Sequence, residues 1–82
     1  MTLRSRPSVL VIDDETGILE TLDVLLRSEG FAPQVAHGGR AGLEALEHGH
    51  HDIVLTDVRM PQVTGVEILA AARLHDKDVP VI

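Results

Sequence analysis

Twice along this chain an unbroken apolar run ends in carboxylates. Val9-Leu10-Val11-Ile12 leads into Asp13-Asp14-Glu15, and Ile53-Val54-Leu55-Thr56 leads into Asp57. Four consecutive apolar or β-branched residues read as a strand buried on both faces, which is how strands look in a parallel sheet covered by helices. Pro61, four positions after Asp57, forbids any continuation of the second run as a strand. In an open α/β sheet, ligands and chemistry sit just beyond the carboxyl ends of the strands. Both acidic groups therefore stand where such a fold does its work.

The stretches between these runs have helical spacing. After Glu15, Thr16 is placed to cap a helix whose apolar positions are Ile18, Leu19, Leu22, Leu25 and Leu26, and Gly30 stops it. Phe31 to Ala36 contains Pro33 and reads as a short edge strand. Gly38 and Gly39 turn the chain into a second helix with Ala41, Leu43 and Leu46 facing inward and Gly49 at its end. Beyond Pro61, Thr64-Gly65-Val66-Glu67 matches a capping box, and Ile68, Leu69 and Ala72 continue the apolar face of a third helix. Asp76 to Asp78 form a polar turn, and Val79-Pro80-Val81-Ile82 begins a fourth strand. The order β-α-β-α-β-α-β with short connections implies right-handed crossovers and a parallel sheet. The first and third strands are the most apolar, so they belong side by side in its middle.

At 82 residues the chain makes one small α/β domain, residues 1–82. Its net charge of -6 argues against direct nucleic-acid binding, because phosphate contacts need a basic face and the seven Lys and Arg residues are scattered. No apolar run approaches the roughly 18–20 residues that cross a bilayer. Met1 to Ser8 carry Arg4 and Arg6, but the apolar run behind them is too short for an export signal. With no cysteine, disulfides and thiolate metal sites are excluded, which is compatible with a cytoplasmic protein.

If the first and third strands are neighbours, Asp13, Asp14 and Asp57 converge. Two carboxylates about 4 Å apart repel by roughly 4 kcal/mol at an effective dielectric near 20. A cluster of three must hold a proton or bind a cation, and all-oxygen ligands suit a hard divalent ion such as Mg²⁺. Such an ion would make phosphoryl transfer to Asp57 feasible, with the carboxylate as in-line nucleophile. Taken singly, each acid could be a turn former or helix cap, with Asp14 capping the helix that follows. Two acidic groups, each closing an all-apolar strand, weigh against that plainer account.

At these residues the chain resembles the receiver domain of two-component response regulators, from about Val9 to Ile82. The matching pieces are Val9 to Glu15, Ile53 to Pro61 with its Asp-x-x-Met-Pro, Gly65 opening a helix, and Val79-Pro80-Val81-Ile82. The resemblance implies a flavodoxin-like doubly wound parallel sheet of strand order 2-1-3-4. The fifth strand and last two helices of the family are missing. Asp57 is then the phosphoacceptor for a sensor histidine kinase. Asp14 and Asp57 become direct Mg²⁺ ligands, Asp13 a ligand through water, and the backbone carbonyl of Arg59 a further ligand. The Arg59 side chain would modulate access of water, and Met60, Pro61 and Gly65 would shape the adjoining loop.

The family also uses a Thr or Ser after the fourth strand and a Lys after the fifth, and the sequence ends before either. Thr56, inside a strand, and Lys77, in a remote turn, do not replace them. The expectation is therefore a longer parent chain with an output domain beyond Ile82, of the kind that regulates transcription. This segment alone would phosphorylate poorly and be marginally stable or self-associating. Such a chain is a switch that assists its own phosphorylation and dephosphorylation rather than an enzyme turning over substrate, and a homodimer is among its expected assemblies. Two rivals stand beside it. One is an aspartyl-nucleophile phosphatase, which would carry Asp-x-Asp where Asp57 is followed by Val58 and Arg59. The other is a pseudo-receiver used for dimerisation, which would not need the three acids. His48, His50 and His51 read as a solvated loop, His37 and His75 as lone histidines without a role, and Gly38-Gly39 as turn chemistry.

Overall fold

A computed structural model describes residues 6–82; Arg4, named above in weighing an export signal, lies outside the described residues. Six elements follow one another: β1 (Ser8–Asp13), α1 (Thr16–Ser28), β2 (Ala32–His37), α2 (Gly39–His48), β3 (Ile53–Thr56) and α3 (Gly65–His75). The two apolar runs do lie side by side, because the sheet order is β2-β1-β3 with every pair parallel. The expected fourth strand occupies its expected side of β3 but is reduced to a single bridge, Val54 to Val81. Val54 N–H donates to the Pro80 carbonyl at 2.9 Å, and Ile82 N–H returns to the Val54 carbonyl at 2.8 Å.

Alternation along β1 sends its side chains to two separate cores. Leu10 and Ile12 join Val54, Leu46, Met60, Ile68 and Ala72 beneath α2 and α3, whereas Val9 and Val11 meet Leu19 beneath α1. The far end of β1 is fixed by a reciprocal polar clamp. Ser8 N–H donates to Asp52 Oδ2 at 2.7 Å, while Asp52 N–H donates to the Ser8 carbonyl at 2.9 Å. Pro33 is tolerated in β2 because that strand is an edge.

Several local expectations change once the elements pack. Thr16 is the first residue of α1 rather than its cap; Glu15 holds the cap position and makes no side-chain capping bond. The inward stripe of α1 is Leu19, Leu22 and Leu26, leaving Ile18 and Leu25 at 40% and 51% exposure on its flanks. In α2 the residue facing the sheet is Gly42 and not Ala41, because a Cβ at Gly42 would fall 2.6 Å from Ile12 Cδ1. In α3 the Thr64 half of the capping box forms, with Glu67 N–H donating to Thr64 Oγ1 at 3.3 Å. His51 is buried rather than solvated, its Nε2 3.3 Å from the Ala45 carbonyl, and His48 ends α2 with Nδ1 2.9 Å from the Glu44 carbonyl. Among the described residues no helix is long and apolar enough to cross a membrane.

Candidate functional site

Because β1 and β3 are parallel neighbours, their carboxyl ends finish at the same rim. Ile12 pairs with Thr56, and Asp57 N–H donates to the Ile12 carbonyl at 3.0 Å. Each of Asp13, Asp14 and Asp57 offers a carboxylate oxygen, and these oxygens all lie within 4.8 Å of one another. Among the described residues the ion pairs are Arg27–Asp23 and His50–Asp52, so no cation side chain neutralises the trio.

The three acids are held differently. Asp13 Oδ1 accepts from the Glu15 amide at 2.9 Å, and Asp57 Oδ1 accepts from the Arg59 amide at 3.1 Å. Both are therefore turn formers as well as members of the cluster, so the plainer account is correct for them as far as it goes. Asp14 does not cap α1, and it is exposed at the mouth of the site. Half-buried Asp13 and Asp57 line the same groove as Ile18, Leu22, Thr56 and Ile82.

The loop after Asp57 is built to let α3 come close. Met60 and Val63 are buried in the main core, and Gln62 adopts φ +72°, the left-handed region. A Cβ at Gly65 would sit 2.8 Å from the Asp57 carbonyl oxygen and 2.9 Å from Val58 Cα, so only glycine allows this approach. Thr56 Oγ1 donates to the Asp57 carbonyl at 3.0 Å, so this hydroxyl is committed to the backbone. Lys77 is exposed in the turn after α3, away from the rim.

The donor set fits a hard divalent cation. Mg²⁺ holds oxygens at about 2.0–2.1 Å, so opposite ligands stand about 4.2 Å apart. A span of up to 4.8 Å accommodates two acids bound directly and the third through a water. One participant was not foreseen: His37, read from sequence as a lone histidine, places Nε2 2.9 Å from the Asp14 carbonyl oxygen. The signal was available only through register, since His37 stands opposite Asp13 once β1 and β2 are paired.

A parallel sheet of order 2-1-3 with helices on both faces, and an acid trio at the carboxyl ends of the neighbouring strands β1 and β3, defines a doubly wound, flavodoxin-like module with a polar rim site. The response regulator receiver domain family matches residues 9–82, and the chain belongs to that family. It is 36% identical over 74 residues to the uncharacterised transcriptional regulatory protein YkoG of Bacillus subtilis, covering 90% of this chain and 32% of that one. It is 35% identical over 74 residues to the regulatory protein AtoC of Escherichia coli, covering 90% and 16%. The chain thus spans about a third or less of the length of these curated relatives. Among solved structures, the chemotaxis response regulator CheY4 of Vibrio cholerae superposes with a TM-score of 0.87 at 29% identity, covering 93% of this chain and 65% of that one. The response regulator TrrA of Thermotoga maritima, solved in complex with Mg(2+)-BeF, gives 0.84 at 33% identity, covering 92% and 65%.

Proposed function

We propose that this receiver domain is a phosphorylatable switch in which Asp57 accepts a phosphoryl group from a sensor histidine kinase. The observation that carries the reading is the approach of the Asp13, Asp14 and Asp57 carboxylates to within 4.8 Å with no cationic side chain paired to them among the described residues. Asp13, Asp14, Asp57 and the main-chain carbonyl of Arg59 would hold Mg²⁺. When bound, that ion supplies positive charge against the incoming phosphoryl oxygens. An Asp57 carboxylate oxygen forms the new O–P bond in line as the donor's N–P bond breaks, and the donor imidazole keeps the electron pair. The Arg59 amide orients the Asp57 carboxylate for this attack.

The acyl phosphate adds roughly -1.5 to -2 charge at the rim, if it resembles a phosphate ester. That charge is the signal passed to an output domain, and the similarity to the transcriptional regulatory protein YkoG supports a transcriptional output. TrrA's complex with Mg(2+)-BeF supports the same choice of ion. That the matched region is 32% of YkoG and 16% of AtoC supports an output domain outside this segment, in a parent protein acting in the cytoplasm with no direct nucleic-acid contact from the receiver itself. A phosphatase reading is disfavoured because Arg59 stands where a second acid would be needed.

The test is to incubate the full-length parent with acetyl phosphate and Mg²⁺ and measure its intact mass. One phosphate adduct is expected, lost on Asp57→Asn and on chelation of the metal. No adduct, or an adduct that survives Asp57→Asn, refutes the assignment.

A further inference from the structure

The end of β2 grips two successive main-chain carbonyls of the acidic pair. Gly38 N–H donates to the Asp13 carbonyl at 2.8 Å, and His37 Nε2 lies 2.9 Å from the Asp14 carbonyl and 3.4 Å from Thr16 Oγ1. A carbonyl only accepts, so Nε2 carries the proton in this contact. The carboxylates of Asp13 and Asp57 are each anchored by an amide of their own turn, from Glu15 and Arg59. Asp14 does not cap α1, so its placement depends on its main chain. His37 is the side chain that holds that main chain, from the register position opposite Asp13.

We propose that His37 is a positioning residue for the acid trio: it pins the Asp14 carbonyl from the neighbouring strand and so presets where the Asp14 carboxylate meets a cation. The proposal rests on the reading of Asp14 as a cation ligand. Partners that orient ligands from outside the coordination shell typically change metal affinity by about 10–100-fold. His37 acts through one main-chain bond, so the lower end of that range applies.

The test uses the full chain with His37→Ala, His37→Gln and His37→Asn. Gln keeps an N–H donor at nearly the reach of Nε2, whereas Asn is too short. Mg²⁺ affinity is measured by calorimetry, and the Asp14 carbonyl ¹³C shift by NMR in chelator. His37→Ala and His37→Asn are expected to weaken Mg²⁺ binding about tenfold, and His37→Gln to recover most of the loss. The Asp14 carbonyl shift in the metal-free protein should move and return in the same pattern. A residue that merely supported the fold would not give selective rescue by Gln. Wild-type affinity in His37→Ala, or no recovery in His37→Gln, overturns the role of His37 alone. Failure of the wild type to bind Mg²⁺ overturns the cation reading beneath it.

Discussion

Replacing Gly65 by alanine should damage the fold and the site together, while the same change at Gly17 should do the opposite. At Gly65 the added Cβ would lie 2.8 Å from the Asp57 carbonyl oxygen and 2.9 Å from Val58 Cα. A carbon–oxygen contact is comfortable from about 3.3 Å, so the gap must open by about half an ångström. Both obstacles are backbone, and no side chain can rotate away to make room. Overpacking of this kind costs about 1–3 kcal/mol, less a fraction of the roughly 1 kcal/mol by which alanine is the better helix former. At Gly17, in the first turn of α1, a Cβ meets nothing within 4 Å, so only the favourable part remains. Gly17→Ala should therefore stabilise by about 0.5–1 kcal/mol. Urea unfolding of both variants reads the difference, and each kcal/mol corresponds to about 4–8 °C in Tm for a domain of this size. The shift forced by Gly65→Ala falls on Asp57, so its Mg²⁺ affinity should drop as well, whereas Gly17→Ala should bind like wild type. Equal stability of the two variants, or unchanged Mg²⁺ binding in Gly65→Ala, would refute the claim that this glycine sets the approach of α3 to Asp57.

Two further substitutions probe charge and backbone. Removing one of three clustered like charges, by Asp14→Asn, should raise metal-free stability by about 1 kcal/mol, the scale of a solvated pair at 4 Å. It should also abolish most of the gain expected of wild type in Mg²⁺, about 2.7 kcal/mol at 100 times Kd. Thermal melts in chelator and in excess Mg²⁺ decide it, and a metal-free variant no more stable than wild type counts against net repulsion in the trio. At Gln62, whose φ of +72° is unfavourable for a side-chain-bearing residue, Gln62→Gly should stabilise by about 0.5–1 kcal/mol and Gln62→Val destabilise by about 1–2 kcal/mol. Denaturant midpoints in the reverse order would contradict the left-handed assignment.

The sheet's inner pair and its acidic rim were legible because they rest on two blunt signals, continuous apolarity and the residue that interrupts it. Val9 to Ile12 and Ile53 to Thr56 have no polar face to turn outward, which leaves the centre of a parallel sheet as their place. What was not legible depends on how closely elements approach. Periodicity alone cannot choose between Ala41 and Gly42, since the choice is made by Ile12 filling the space beneath α2. Likewise Thr16 has good capping chemistry, but the helix starts at Thr16 itself and leaves Glu15 in the cap position. The placements of His51 and His37 are hidden from the sequence for the same reason. Their partners, the carbonyls of Ala45 and Asp14, are main-chain groups that no side-chain pattern announces.

The Ser8–Asp52 clamp gains a meaning from this. An all-apolar strand between two oily layers feels little preference between one stagger and the next, since every side chain is welcome on either side. Yet each step along β1 would carry Asp13 about 3.3 Å and reverse the direction it points, enough to scatter a trio only 4.8 Å across. The paired bonds at Ser8 and Asp52 thus serve as the zero mark of a gauge, whose other end delivers the carboxylates to a common height.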